Sequence, residues 1–216
     1  MIRILVVDDH AIVRESLREL IELRNDWQVC GEAPNGREAI ELVRQLRPDI
    51  VILDLSMSEL NGIEATLRIR KMSPTTEVLV FTMHDSEDIV REVIRAGARG
   101  YLIKSDGAAS LEAAIEALAR HRPYFTPAIE EIVLATVIGG VASNEETDFG
   151  HGPLTVRERE VVQLLAEGKS SKKIAKQLGL TAATVQTHRA AIMRKLNISS
   201  ITELVRYAVR NKIIEP

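Results

Sequence analysis

Over its first 120 residues the chain switches hydrophobic period five times, and few folds can satisfy that. Ile2–Val7 is a short apolar, β-branched run, and Ala11–Arg24 then carries Ile12, Leu17, Leu20 and Ile21 at helical spacing. The same exchange repeats four times. Gln28–Ala33 reads as a strand and Gly36–Leu46 as a helix stopped by Pro48. Ile50–Leu53 is followed by a helix over Glu64–Met72 that ends before Pro74. Glu77–Phe81 precedes a helix capped by Ser86 and running to Ala96, with Gly97 just past its end. Gly100–Ile103 precedes a helix over Ala108–Arg120. Strands as uniformly apolar as Ile50–Leu53 belong in parallel sheets covered on both faces. Strict strand–helix alternation therefore predicts an α/β doubly wound, five-stranded parallel sheet.

The pattern breaks after Arg122. A short helix is expected over Pro127–Val137, leading into Gly139, Gly140, Ser143, Asn144, Glu145 and Glu146, a linker composition. Beyond Pro153 the spacing is purely helical. Thr155 and Glu158 form a capping box for a helix to Gly168, and Ser170 or Ser171 starts a second with Ile174, Ala175 and Leu178 inward, closed by Gly179. Thr181 caps a third, Ala182–Leu196, burying Val185, Ile192 and Leu196. Ser200 and Glu203 cap a fourth, with Ile201, Leu204, Val205 and Ala208 in register. The expected organisation is a first domain at 1–121, a linker at 122–152 and a small all-α four-helix domain at 153–216.

Charge divides along the same line. From His151 onward there are 12 Lys and Arg against 5 Asp and Glu; before it, 16 against 26. A basic back half suits a polyanion. The single cysteine, Cys30, closes no intrachain disulfide and is expected to be a buried strand residue. Met1–Val7 is too short for a signal peptide, and Ile132–Ala142 falls short of the ~18 apolar residues of a membrane helix, so a cytoplasmic protein without a membrane partner is expected.

Ligands of open parallel sheets bind beyond the carboxyl ends of the strands. Asp8 and Asp9 end the first strand, Asp54 follows the third, Thr82 ends the fourth and Lys104 follows the fifth. One Asp after a strand is usually a turn or cap residue; the whole ordered set is what carries weight. Three converging carboxylates repel unless a cation neutralises them, and all-oxygen ligands favour Mg²⁺. Asp54 can then act as nucleophile toward a phosphoryl group. Lys104 would neutralise the transferred charge and the Thr82 hydroxyl would hydrogen-bond one of its oxygens.

Val6-Val7-Asp8-Asp9-His10, Asp54-Leu55-Ser56-Met57, Thr82-Met83-His84-Asp85 and Gly100-Tyr101-Leu102-Ile103-Lys104 resemble the receiver domain of two-component response regulators, a flavodoxin-like fold, over about residues 1–120. The resemblance implies that a sensor histidine kinase phosphorylates Asp54. It implies that Asp9, Asp54 and the Ser56 carbonyl ligate Mg²⁺ directly, and Asp8 through water. It makes Tyr101 the switch aromatic that swings inward when Thr82 moves toward the phosphoryl group. Receivers usually carry proline four residues after the phosphorylated aspartate; Ser58 stands there, so a more mobile loop is expected, with altered phosphorylation rate and lifetime.

The second and third C-terminal helices have helix-turn-helix spacing. Gln186, Thr187, Arg189, Ala190, Arg194 and Lys195 share the outward face of the third, while Lys172, Lys173 and Lys195 suit phosphates. Leu154-Thr155-Val156-Arg157-Glu158-Arg159-Glu160, Ile174-Ala175 and Thr184 through Leu196 resemble the LuxR-type domain of the NarL/FixJ subfamily. That resemblance adds Thr184 to the DNA face, makes the fourth helix, about Ile201–Asn211, a dimerisation element, and notes Gln186 where lysine is common. His188 lies toward the inward side and is expected to be structural. Gly168-Lys169-Ser170 is not a nucleotide-binding loop, because the glycine such a loop needs is replaced by Gln163 and a helix precedes it.

The expected function is a phosphorylation-activated transcriptional regulator, not an enzyme. Its expected partners are a sensor kinase, double-stranded DNA, a second copy of itself on activation and RNA polymerase. Two alternatives stay open: a Mg²⁺-dependent phosphohydrolase, and a constitutive DNA-binding protein with an inactive receiver.

Overall fold

The computed structural model describes residues 1–140, 154, 156–178, 180–211 and 213–214, which form two compact units. The first runs β1 (Ile2–Val7), α1 (Ala11–Glu22), β2 (Trp27–Ala33), α2 (Gly36–Leu46), β3 (Ile50–Leu53), α3 (Gly62–Met72), β4 (Glu77–Thr82), α4 (Glu87–Arg95), β5 (Gly100–Ile103), α5 (Gly107–Ala119), β6 (Tyr124–Phe125) and α6 (Pro127–Gly140). All strand pairs are parallel and the order is β2-β1-β3-β4-β5-β6. Connections therefore turn one way from β1 to β2 and the other way from β2 to β3, which opens a crevice at the carboxyl ends of β1 and β3. Every residue of β3 is buried, as covering on both faces requires.

The expected five-stranded parallel core is present with one short strand added at its edge, and two further expectations need correcting. The sheet has six strands: β6 adds two residues beside β5, with Tyr124 N–H donating to the Arg99 carbonyl at 2.9 Å. Two residues are too few to show an alternating pattern. Ile12 is 79% exposed, because α1 turns Leu17 and Ile21 into the core with Val13 and Leu20 beside them, and Ile12 falls off that stripe. Cys30 is only half-buried; burial nevertheless pushes its thiol pKa up, against the lowering pull of Arg3.

The second unit holds α7 (Val156–Ala166), α8 (Ser171–Leu178), α9 (Ala182–Lys195) and α10 (Ile201–Arg210). Val161, Val162, Leu164, Ile174, Val185, Ile192, Leu204 and Ala208 make its core. Thr181 caps α9 by accepting from Thr184 N–H, and the Ser200–Glu203 capping box of α10 is complete. Gly168, with φ of 76°, follows the end of α7 rather than lying within it. Residues Ser143–Glu146 of the expected linker, Pro153, the Thr155 half of the first capping box and Gly179 lie outside the described residues. Among the described residues no helix is long and apolar enough to cross a membrane.

Candidate phosphoacceptor site and DNA-binding face

Neighbouring strand ends bring the acidic residues together. The register pairs Val7 with Leu53, and Asp54 N–H donates to the Val7 carbonyl at 2.9 Å, so Asp8 and Asp54 leave adjacent strands at one level. On the other side Thr82 pairs with Ile103, and Lys104 N–H donates to the Thr82 carbonyl at 2.8 Å. The Lys104 ammonium spans the gap, 2.6 Å from Asp8 Oδ2 and 3.1 Å from Asp54 Oδ2. Both carboxylates are almost wholly buried.

Asp8 is held hard. Its Oδ1 accepts from His10 N–H at 2.8 Å and its carbonyl accepts from the Arg14 guanidinium at 2.7 Å. Asp9 is more exposed and meets His10 Nδ1 at 2.8 Å. Donor atoms of Asp8, Asp9 and His10 all lie within 4.8 Å of one another, so this edge can hold a metal ion. Asp54 Oδ1 accepts from Leu55 N–H at 2.8 Å.

The charges leave a residual imbalance. Burial pushes the Asp54 pKa above the ordinary carboxylate value; Lys104 pulls it down and Asp8 pushes it up again, with a net rise. Burial alone would lower Lys104, but its bond to Asp8 and the charges of Asp54 and Asp8 more than reverse this, so its pKa is raised. The net rise of Asp54 is thus the cost of burying its carboxylate, which Lys104 offsets only in part.

Thr82 is buried beside this edge, its Oγ1 accepting from His84 N–H at 3.4 Å. The Tyr101 side chain is wholly buried and its hydroxyl donates to the His84 carbonyl at 2.8 Å, so this ring already points inward. Burial first, then the charges of Asp85 and Asp54, push its phenol pKa up. Ser56 Oγ lies 2.6 Å from His84 Nε2. His84 thus touches Ser56, Thr82 and Tyr101, yet the sequence reading passed over it. Its place two residues beyond Thr82 was the available signal. Gly62 was missed as well. A Cβ there would lie 2.1 Å from the Asp54 carbonyl oxygen, so α3 can start against the Asp54 backbone only with glycine.

In the helical unit, Lys172 and Lys173 on α8 and Gln186, Thr187, Ala190 and Arg194 on α9 are exposed, while Thr184, Arg189 and His188 are half-buried. The Thr184 hydroxyl is 2.8 Å from that of Thr181 within the cap. Lys195 Nζ is engaged by Glu158 Oε2 at 2.7 Å.

Comparison with known proteins agrees with this geometry. Residues 4–116 match the response regulator receiver domain, and residues 152–208 match the bacterial regulatory proteins of the luxR family. The chain belongs to the LuxR-type response regulators. It is 38% identical over 214 residues to the transcriptional regulatory protein LiaR of Bacillus subtilis, covering 99% of this response regulator and 100% of LiaR. It is 34% identical to the oxygen regulatory protein NreC of Staphylococcus carnosus, over 99% of each. Among solved structures, a LuxR-family response regulator from Aurantimonas sp. is 41% identical with a TM-score of 0.59, over 63% of this chain and 97% of that one. RcsB of Salmonella enterica serovar Typhimurium, bound to the promoter rprA in the presence of a phosphomimetic, is 25% identical with a TM-score of 0.61, over 96% and 98%.

Proposed function

We propose that this response regulator is a DNA-binding transcription regulator switched by phosphorylation of Asp54. The observation that carries the reading is the Lys104 ammonium bridging Asp8 and Asp54 at the carboxyl edge of β1 and β3. In the transfer, an Asp54 carboxylate oxygen attacks the phosphorus of a sensor kinase's phosphohistidine. The new O–P bond forms as the N–P bond breaks, and the imidazole leaves and takes up a proton. Lys104 faces the incoming phosphoryl oxygens, and Thr82 Oγ1 is placed to hydrogen-bond one of them.

The donor chemistry fits Mg²⁺: the carboxylates of Asp8, Asp9 and Asp54 and the Ser56 carbonyl are hard oxygens, and the Asp54 pKa is raised first by burial, a cost to the charged form that a cation would offset. When bound, the ion supplies charge neutralisation of the transferred phosphoryl group. Asp9 and Asp54 would hold it with the Ser56 carbonyl, Asp8 through water.

Thr82 would donate its O–H to a phosphoryl oxygen, and its displacement toward that oxygen would stretch the bond that Oγ1 accepts from His84 N–H, with the His84 carbonyl carrying that pull to the Tyr101 hydroxyl. That rearrangement would reach the surface of the fourth and fifth strand–helix units and favour a homodimer. Gln186, Thr187, Arg189, Ala190 and Arg194 on α9, with Thr184 at its start, then face the major groove, and Lys172 and Lys173 face phosphates. RcsB's promoter complex supports DNA as the ligand of this face. Domain limits at 1–121 and 153–216 joined by 122–152, a cytoplasmic location, RNA polymerase as a further partner and the lack of turnover on external substrates complete the proposal.

The test is DNA binding on selected duplexes at fixed salt, with and without acetyl phosphate or beryllofluoride plus Mg²⁺. Tighter binding with the phosphodonor, lost in Asp54→Asn, is the expected result. Binding indifferent to both would remove the switch, and steady turnover of an external phosphoester would replace it with a hydrolase.

A further inference from the structure

Two side chains of α7 hold the helix-turn-helix, one at its central turn and one at the far end of α9. Arg157, anchored by Glu160 at 2.7 Å, donates from its other guanidinium nitrogen to the Leu178 carbonyl at 2.7 Å, at the end of α8 where the turn begins. Glu158, the next residue, reaches the far end of α9 and holds Lys195 Nζ at 2.7 Å. The Glu158 carboxylate is only 9% exposed, whereas Lys195 is 43% exposed. A carboxylate that buried is costly without its cation, so the pair is a fixture rather than a loose surface contact. Lys172 and Lys173 on α8 are exposed, as the Lys195 stem is.

We infer that Lys195 is a positioning residue for the recognition helix and not a phosphate contact. Together with Glu158 it sets the tilt of α9, and so the register of Gln186, Thr187 and Arg189 against base edges. This rests on the DNA-binding reading above. It also reassigns Lys195, which its place in the sequence suggested for a phosphate.

Two roles for Lys195 differ in what they do to salt dependence and to selectivity. A lost phosphate contact lowers the slope of log affinity against log salt by about one and weakens all sequences alike. A lost positioning contact leaves that slope in place and erodes discrimination between sequences. The partner discriminates further. If Lys195 touched phosphate, Glu158→Gln would free it and tighten binding; if the pair positions α9, Glu158→Gln acts like Lys195→Gln.

The experiment uses the full chain with acetyl phosphate and Mg²⁺, a duplex it selects from a random pool, and a scrambled duplex. Affinities are measured across a salt series. For Lys195→Gln and for Glu158→Gln we expect the selected-to-scrambled affinity ratio to fall about tenfold, the order of one mismatched base pair, with the non-specific salt slope unchanged. Lys172→Gln should lower the slope by about one and leave the ratio intact. The exchange Glu158→Lys with Lys195→Glu should restore the ratio; long-range repulsion from the relocated charge acts on both duplexes and cancels. Far-ultraviolet circular dichroism identifies any variant that fails to fold, and Lys195→Arg, which keeps the ion pair, should retain the ratio. A slope reduced by one in Lys195→Gln, with tighter binding in Glu158→Gln, would overturn the inference and leave the DNA reading standing. A wild-type chain that prefers no duplex would overturn both.

Discussion

His84 Nε2 meets Ser56 Oγ at 2.6 Å, joining the loop after β4 to the loop that carries Asp54. Groups that orient a ligand-bearing loop count in metal affinity almost as the ligands do. His84→Ala is therefore expected to weaken Mg²⁺ binding about tenfold in calorimetric titration. Undiminished affinity would show that Ser56 is positioned by the backbone alone.

Lys104 holds two buried carboxylates apart from one another's charge. Lys104→Met in chelator should lower the unfolding free energy of the receiver by roughly 3 kcal/mol near neutral pH, read by urea denaturation. A lysine whose folded pKa is raised contributes stability that is present below its unfolded pKa and lost as pH rises through the folded one. The wild-type advantage should thus hold at neutral pH and fade in strong alkali. It should also shrink in acid, as Asp54 with its raised pKa takes up a proton.

Gly62 abuts the Asp54 backbone, with a prospective Cβ 2.8 Å from Leu55 Cα as well as 2.1 Å from the Asp54 oxygen. Gly62→Ala must push that loop aside. A displacement on the ångström scale should slow phosphorylation by acetyl phosphate about a hundredfold. An unaltered rate would mean that the start of α3 yields instead.

Tyr101 offers a graded test. Tyr101→Phe leaves the His84 carbonyl without this donor and should cost about 1–2 kcal/mol, whereas Tyr101→Ala opens a cavity and should cost about 3–5 kcal/mol. Denaturant melts separate the two. A Tyr101→Phe chain as stable as wild type would assign Tyr101 to packing alone.

Glu203 gives the helical unit a pH signature. Hydrogen bonds from Ser199 and Ser200 N–H hold its carboxyl below the usual value. A depressed carboxyl contributes stability above its unfolded pKa and loses it as pH falls through the folded one. Glu203→Ala should therefore melt earlier than wild type at neutral pH, with the gap closing in acid. A constant gap would point to helix propensity instead.

The strand-end residues were legible because a parallel sheet sends all its carboxyl ends to one edge, whatever their spacing in the chain. Asp8, Asp54, Thr82 and Lys104 needed only the right strand boundaries to be placed together. His84 and Gly62 were not legible, since one acts through loop geometry and the other through the absence of a side chain. Periodicity reports neither. It misplaced Ile12 for a related reason: several faces of a short helix satisfy the same spacing, and packing chooses among them. The charge of Lys195 was legible, but its partner Glu158 lies 37 residues away and only the packing of α7 against α9 brings the two together.

Lys104 and Asp8 are 96 residues apart. Synthesis proceeds from the amino end, so both buried acids leave the ribosome well before the amine that compensates them. Until β5 emerges, closing the crevice would enclose Asp8 and Asp54 uncompensated. The nascent sheet is better served by keeping that edge wet until β5 brings with it the charge that lets it shut.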